Sequence, residues 1–128
     1  MEYGKCELCG AEGIVELHHG VYRSQSKVLR DCKLNLFRLD YKCHRGEDGV
    51  HGKNGHDTDI KIKKMLQERL FKALDQETYT LEDVAEILEV NKKDVKAACK
   101  TLMPVDGHAV ERYKTIDIIR KLQGGKLY

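Results

Sequence analysis

No stretch of this sequence stays apolar for more than a few residues, so no segment is built to span a bilayer. The opening Met-Glu-Tyr-Gly-Lys holds no apolar run of signal-peptide length. The expected compartment is a cytoplasm, that of a bacterium or of a phage-infected bacterial cell. Net charge is scarce too, at +2 with a pI near 8.2, whereas dedicated nucleic-acid binders often exceed pI 9. Where the charges sit therefore matters more than their sum. Internal repeats and low-complexity runs are absent, and Pro104 is the only proline. With 41% hydrophobic and 34% charged residues, the 128-residue chain has a globular composition, enough for one ordinary domain or two very small ones.

Cysteine and histidine are present and unevenly placed. Cys6, Cys9, Cys32 and Cys43 lie in the first third, and His18, His19, His44, His51 and His56 fall between residues 18 and 56. Eight of the eleven glycines also lie in the first 56 residues. Cysteines of a cytosolic chain point to metal or catalysis rather than a disulfide framework. A unit this small buries little apolar surface, and a bound metal is the usual remedy.

The patterning predicts an α+β chain. Residues 1–12 read as a loop around Cys6 and Cys9, and residues 13–19 (GIVELHH) as a short strand. Residues 20–33 look irregular. Residues 34–39 (LNLFRL) read as a second strand, with Asn35 facing away from Leu34 and Leu36. Asp40 can cap a short helix to Arg45, and the glycine-rich residues 46–56 are a loop. Residues 57–76 hold neither glycine nor proline, and Ile62, Met65, Leu66, Leu70 and Leu74 repeat at helical spacing. The expected organisation is a unit over 1–56, a long amphipathic helix over 57–77 and a helical domain over 78–128.

Cys6-x-x-Cys9 lets two thiolates reach one ion from a tight turn, and Cys43 is the natural third ligand. The fourth is open between Cys32, Asp40 and a histidine; alternatively the thiols merely pack. His18 and His19 are adjacent on a strand and point to opposite sides. One imidazole can then bind a metal while the other serves as general base near neutral pH. A strand–strand–helix unit would bring them together with Asn35 and His44.

The string Cys6-x-x-Cys9, Leu-His18-His19, Asn35-Leu36 and Cys43-His44 resembles the HNH, or ββα-metal, endonuclease family over roughly residues 6–75. The stretch CHRGEDGVHGKNGHD before a lysine-rich helix resembles a phage-borne branch. The resemblance implies a ββα-metal nuclease unit with His18 and His44 as metal ligands. It implies His19 as the general base that activates water, and Asn35 as the residue that fixes the base-carrying loop or touches the metal site. The ion would be Mg²⁺ or Mn²⁺, though imidazole also suits Zn²⁺ or Ni²⁺. Hydrolysis would leave 5′-phosphate and 3′-hydroxyl ends. Members with a structural zinc usually carry a second Cys-x-x-Cys, whose first position is Asp40 here. Asp40 as ligand, Cys32 as substitute and a degenerate site are the alternatives.

Several neighbours have two readings. His51 and His56 are extra ligands or phosphate contacts, or else solvated loop residues. Arg23 is a phosphate contact or an ordinary surface arginine. Glu16, on the strand face of His18, either hydrogen-bonds a ligand histidine or is solvated.

Residues 81–100 (LEDVAEILEVNKKDVKAACK) fit a helix-turn-helix, with Val84, Ala85, Leu88, Val95 and Ala98 packing, Asn91 capping the second helix, and Glu89 where glycine is usual. Lys92, Lys93, Lys96 and Lys100 give that helix a basic face suited to DNA phosphates, or simply a solvated one. Another helix is expected around 115–123, and Cys99 is core. The leading expectation is a metal-dependent DNA endonuclease with DNA as partner, where a monomer would nick and a homodimer could cut both strands. The alternative is a non-catalytic, zinc-stabilised DNA-binding or recombination accessory protein.

Overall fold

A computed structural model describes residues 2–128. The chain is α+β, with short antiparallel strands and helices. Strands β1 (Glu2–Lys5), β2 (Glu12–His19) and β3 (Leu36–Leu39) form an antiparallel sheet in that order. His18 stands opposite Phe37, and His19 opposite Leu36. The first strand lies inside the segment expected to be a loop, and Tyr3 pairs with Ile14.

Between β2 and β3 the chain forms a four-residue helix α1 (Lys27–Arg30), which Ser26 caps by accepting from Leu29 N. A 3-10 turn (Lys33–Asn35) follows. The second strand therefore begins at Leu36, and Asn35 is not one of its residues. The cause is the Asn35 side chain, which bonds backbone groups of other segments instead of facing a strand neighbour.

Helix α2 (Tyr41–Arg45) starts where expected, as Asp40 Oδ1 accepts from Cys43 N at 2.8 Å. The glycine-rich stretch after it is closely ordered. Gly49 N donates to Gly46 O, Gly52 N to Gly49 O and Gly55 N to Gly52 O. Val50 N, His51 N and Asn54 N donate to the carbonyls of Cys43, His44 and Glu47. The stretch thus lies back along α2. Side chains would not fit there: a Cβ on Gly52 would sit 1.8 Å from Gly46 O, and one on Gly55 2.1 Å from Gly49 O.

Helix α3 (His56–Ala73) carries Asp57 and Asp59 in its first turn, which suits the positive end of the helix dipole. It buries Ile62, Leu66 and Leu70 along one stripe. These meet Val21, Leu29, Phe37, Val84, Leu88, Ile118 and Ile119 in one connected cluster of buried residues. No described helix is long and apolar enough to cross a membrane.

The second half holds β4 (Thr78–Tyr79), α4 (Leu81–Leu88), α5 (Lys92–Ala98), β5 (Tyr113–Lys114) and α6 (Thr115–Leu122). Strands β4 and β5 pair antiparallel. Asn91 caps α5 by accepting from Lys93 N and Asp94 N. Glu89 ends α4 in the left-handed region at φ 54, a conformation that costs a non-glycine residue about 1 kcal/mol. Cys99 is buried, and Gly124 and Gly125, both at positive φ, follow α6. The terminal residue packs back: Tyr128 N donates to Gln67 Oε1, and Gln67 Nε2 donates to Tyr128 O.

Candidate metal centre

Three histidines converge where β2, α2 and the glycine stretch meet. One ring nitrogen from each of His18, His44 and His51 lies within 4.8 Å of the others. Ring centroids are 5.2 Å apart for His18 and His44, 5.0 Å for His18 and His51, and 4.7 Å for His44 and His51. Each is delivered by a different local device. His18 sits on the inner face of β2, at 3% exposure. His44 is the fourth residue of the helix that Asp40 starts. His51 is held through its own backbone N–H, donated to the carbonyl of His44.

At two of the three rings the surroundings favour the neutral imidazole over the charged one. Burial pulls the His18 pKa from 6.5 down to about 4, and the nearby His44 and His51 add to the shift. Burial and His44 lower His51 in the same direction. His44 Nδ1–H donates to Glu16 Oε1 at 3.0 Å, which leaves Nε2 with its lone pair free. Glu16 is shared with Arg45 Nε at 3.0 Å, and these two partners hold its carboxyl below the usual carboxylate range. Most telling is His18 Nε2, a buried nitrogen with no hydrogen-bond partner. A buried polar atom without a partner is costly, and an ion among the three imidazoles would satisfy it.

A second cluster stands beside α2. Cys6, Cys9, Cys43 and Asp40 each offer an atom within 4.8 Å of the others. Asp40 has two tasks here: Oδ1 caps the helix, and Oδ2 accepts from Cys9 Sγ at 3.1 Å. Burial works against ionising Cys6, but the backbone N–H groups of Cys9, Asp40 and Leu8 outweigh it and lower its pKa. Cys43 is driven far up, by burial and then by its neighbouring thiols and carboxylate. At Cys9 the Ala11 N–H lowers the pKa, but the Asp40 carboxylate, burial and Cys6 together outweigh it and raise it. Without a cation the set tolerates little negative charge, although its donors are those that a zinc ion takes when they are ionised. Either cluster could hold a metal ion.

Cys32 is not part of that set. It is buried among apolar residues and its Sγ lies 3.9 Å from Leu88 O. Of the residues left open for the fourth position, Cys32 is thus away from the set: the chain turns through α1 and the 3-10 turn before reaching β3, and this packs Cys32 inward. Asp40, another of those alternatives, lies within the set.

The neighbouring His19 does not join the histidine cluster. Its Nε2–H donates to the Arg30 carbonyl at 3.1 Å, because a carbonyl can only accept. The tautomer that results leaves Nδ1 as the basic nitrogen. Asn35, fully buried, stabilises the same region. Its Oδ1 accepts from Val21 N at 2.8 Å, and its Nδ2 donates to Val21 O at 2.9 Å and Leu29 O at 3.0 Å. Gly20 N also donates to Asn35 O. Asn35 therefore ties the segment after His19 to the residue just before Arg30.

The other candidates are scattered. His56 lies exposed at the start of α3, outside both clusters, and Arg23 is exposed. Lys92 and Lys96 reach Glu82 of α4 at 3.1 and 3.8 Å, so part of the basic face of α5 is neutralised from within. Lys93 and Lys100 are exposed and make no ion pair among the described residues. His51 is the ligand candidate that the sequence left undecided. Its signal is the three-residue spacing of Gly46, Gly49, Gly52 and Gly55, which marks a closely packed coil rather than a loose loop.

A scan against protein-family models finds no match, and searches of curated proteins and of solved structures find none.

Proposed function

We propose that the chain is a divalent-metal-dependent DNA endonuclease of the HNH type, with His18, His44 and His51 as ligands of one ion. The observation that carries this reading is the buried, unpartnered Nε2 of His18, on a ring that converges with two other imidazoles. In this reading the antiparallel pair β2–β3 and the short helix α2 play the part of the ββα frame of such a centre. When bound, a divalent ion there supplies Lewis acidity for the scissile phosphate and for the charge on the leaving oxygen.

The protein's own residues do the rest. The Glu16 carboxylate keeps His44 in the tautomer that presents Nε2. His19, oriented by Arg30 O, offers Nδ1 to take a proton from the attacking water. Asn35 positions His19 and its carbonyl partner together. The cluster of Cys6, Cys9, Asp40 and Cys43 holds a structural zinc that fixes α2. The α4–α5 pair serves as a helix-turn-helix-like DNA contact through Lys93 and Lys100, with Arg23 beside the nuclease unit.

The test is cleavage of supercoiled plasmid in EDTA, Mg²⁺, Mn²⁺ and Ni²⁺, beside His19→Ala. Metal-dependent nicking that the variant loses is the expected result. Folded protein that binds DNA but cuts neither plasmid nor branched DNA in any metal would overturn the nuclease reading and leave a zinc-stabilised DNA-binding protein.

A further inference from the structure

A histidine that binds a metal ion usually donates its other ring N–H to a fixed acceptor, and that bond sets the angle of the ring. Only one histidine of the cluster has such a partner. His44 is held by Glu16. The rings of His18 and His51 make no hydrogen bond among the described residues, yet both must keep their angle for three nitrogens to converge.

Both rings lean on Tyr22. Its ring meets His18 edge-on, with centroids 6.1 Å apart and planes at 84°. It stacks beside His51 at 6.4 Å and 26°. Tyr22 lies in the irregular segment after β2, where an aromatic ring has no strand neighbours to hold it. Two residues of α3 hold it instead. The Tyr22 hydroxyl donates to Asp59 Oδ1 at 3.2 Å, and Lys63 Nζ stands 4.5 Å above the ring centroid. Lys63 also donates to Asp59 Oδ2 at 2.5 Å, one helical turn back.

The Lys63 side chain is only 4% exposed. A lysine–aspartate pair on a helix surface is commonplace, but a buried one carries a desolvation cost and adds little stability of its own. Here the lysine is buried and the aspartate half-buried, where the carboxylate catches the hydroxyl of the ring on which two of the histidines rest and the ammonium covers the face of that ring.

We propose that Tyr22, Asp59 and Lys63 are positioning residues of the histidine centre: Asp59 and Lys63 clamp the Tyr22 ring, and the ring sets the angles of His18 and His51. The inference rests on the reading of the three histidines as metal ligands. Glu16 orients one ligand by a hydrogen bond, and Tyr22 orients the other two by aromatic contact.

The experiment is a Mn²⁺ titration of the full chain, followed by the electron paramagnetic resonance signal of the free ion. This hard ion avoids the thiol cluster. Wild type is expected to bind Mn²⁺ and His44→Ala to lose it. Tyr22→Leu should weaken binding about tenfold, the lower end of the effect of outer partners on metal affinity. Tyr22→Phe keeps the ring but drops the tether to Asp59, folds with a change of one oxygen atom, and should lose roughly threefold by the same logic. If both folded variants bind Mn²⁺ as wild type does, even with a lowered melting temperature, Tyr22 is merely structural and the proposal is overturned. If wild type binds no Mn²⁺, or His44→Ala binds it unchanged, the ligand reading beneath the proposal has failed instead.

Discussion

Replacing Gly52 with alanine adds one methyl group, and the structure leaves it nowhere to go. The new Cβ would lie 1.8 Å from Gly46 O, 2.6 Å from Glu47 O and 2.8 Å from the Glu47 carbonyl carbon, where real contacts stay beyond 3.0 Å. All three are backbone atoms, so no side chain can swing aside. Gly52 must move away from the Gly46 and Glu47 carbonyls by more than an ångström, and the bonds His51 N to His44 O and Asn54 N to Glu47 O are the ones at risk. Each is worth about 1 kcal/mol net, and overpacking typically costs 1–3 kcal/mol. A loss of about 3 kcal/mol is expected, which lowers the melting temperature of a domain this size by about 10 °C. Metal affinity should fall as well, because His51 is placed by the bond to His44. The assay is thermal unfolding with and without Mn²⁺, beside Gly4→Ala, whose added Cβ would meet Val15 at an ordinary 3.5 Å. If Gly52→Ala melts within a degree or two of Gly4→Ala and binds Mn²⁺ as wild type does, the stacked-coil argument is wrong.

Asn35→Ala strips three buried backbone groups of their partner, and should cost about 3 kcal/mol or more in urea unfolding; a loss under about 1 kcal/mol would count against Asn35 as the tie between Val21 and Leu29. Cys43→Ala should remove zinc from the purified protein by metal analysis while Cys32→Ala retains it; equal loss in both would contradict the placement of Cys32 in the core. Stability without metal should decline as pH falls from 6.5 towards 4. Unfolded His18 takes up a proton near 6.5 while folded His18 resists until about 4, so within that window the unfolded state binds the extra proton and is favoured. His18→Gln should flatten the decline, and an unchanged acid profile in that variant would refute its assignment to His18.

Much of the chain was legible because the local signals were covalently close. Strand β2, the Asp40 cap, the stripe on α3 and the Asn91 cap each depend on residues a few positions apart, and each lies within a residue or a few of its expected place. What escaped depends on distant partners. Strand β1 has a short, exposed sequence that becomes a strand only by pairing with β2. Asn35 looked like a strand residue because its neighbours alternate, but its amide finds three backbone groups from segments the sequence leaves undefined. Cys32 is one of the fourth-ligand alternatives by residue type, and its position beside Leu88 O keeps it out of the set. Tyr22, Asp59 and Lys63 carry no recognisable spacing, since the contact joins the irregular segment after β2 to α3.

Cys43 and His44 are consecutive residues of a helix little more than one turn long, and they face different clusters. There is no flexible chain between the two sites that could absorb a change in either. A cation that draws Cys43 and Asp40 together also immobilises the peptide unit that carries His44, and through the His44 carbonyl it steadies His51. Thermodynamic reciprocity then works in both directions: any factor by which filling the thiol cluster strengthens binding at the histidines is the factor by which filling the histidines strengthens the thiol cluster. The helix acts as a shared abutment, and oxidation or chelation of the cysteines would reach the imidazoles across a single peptide bond.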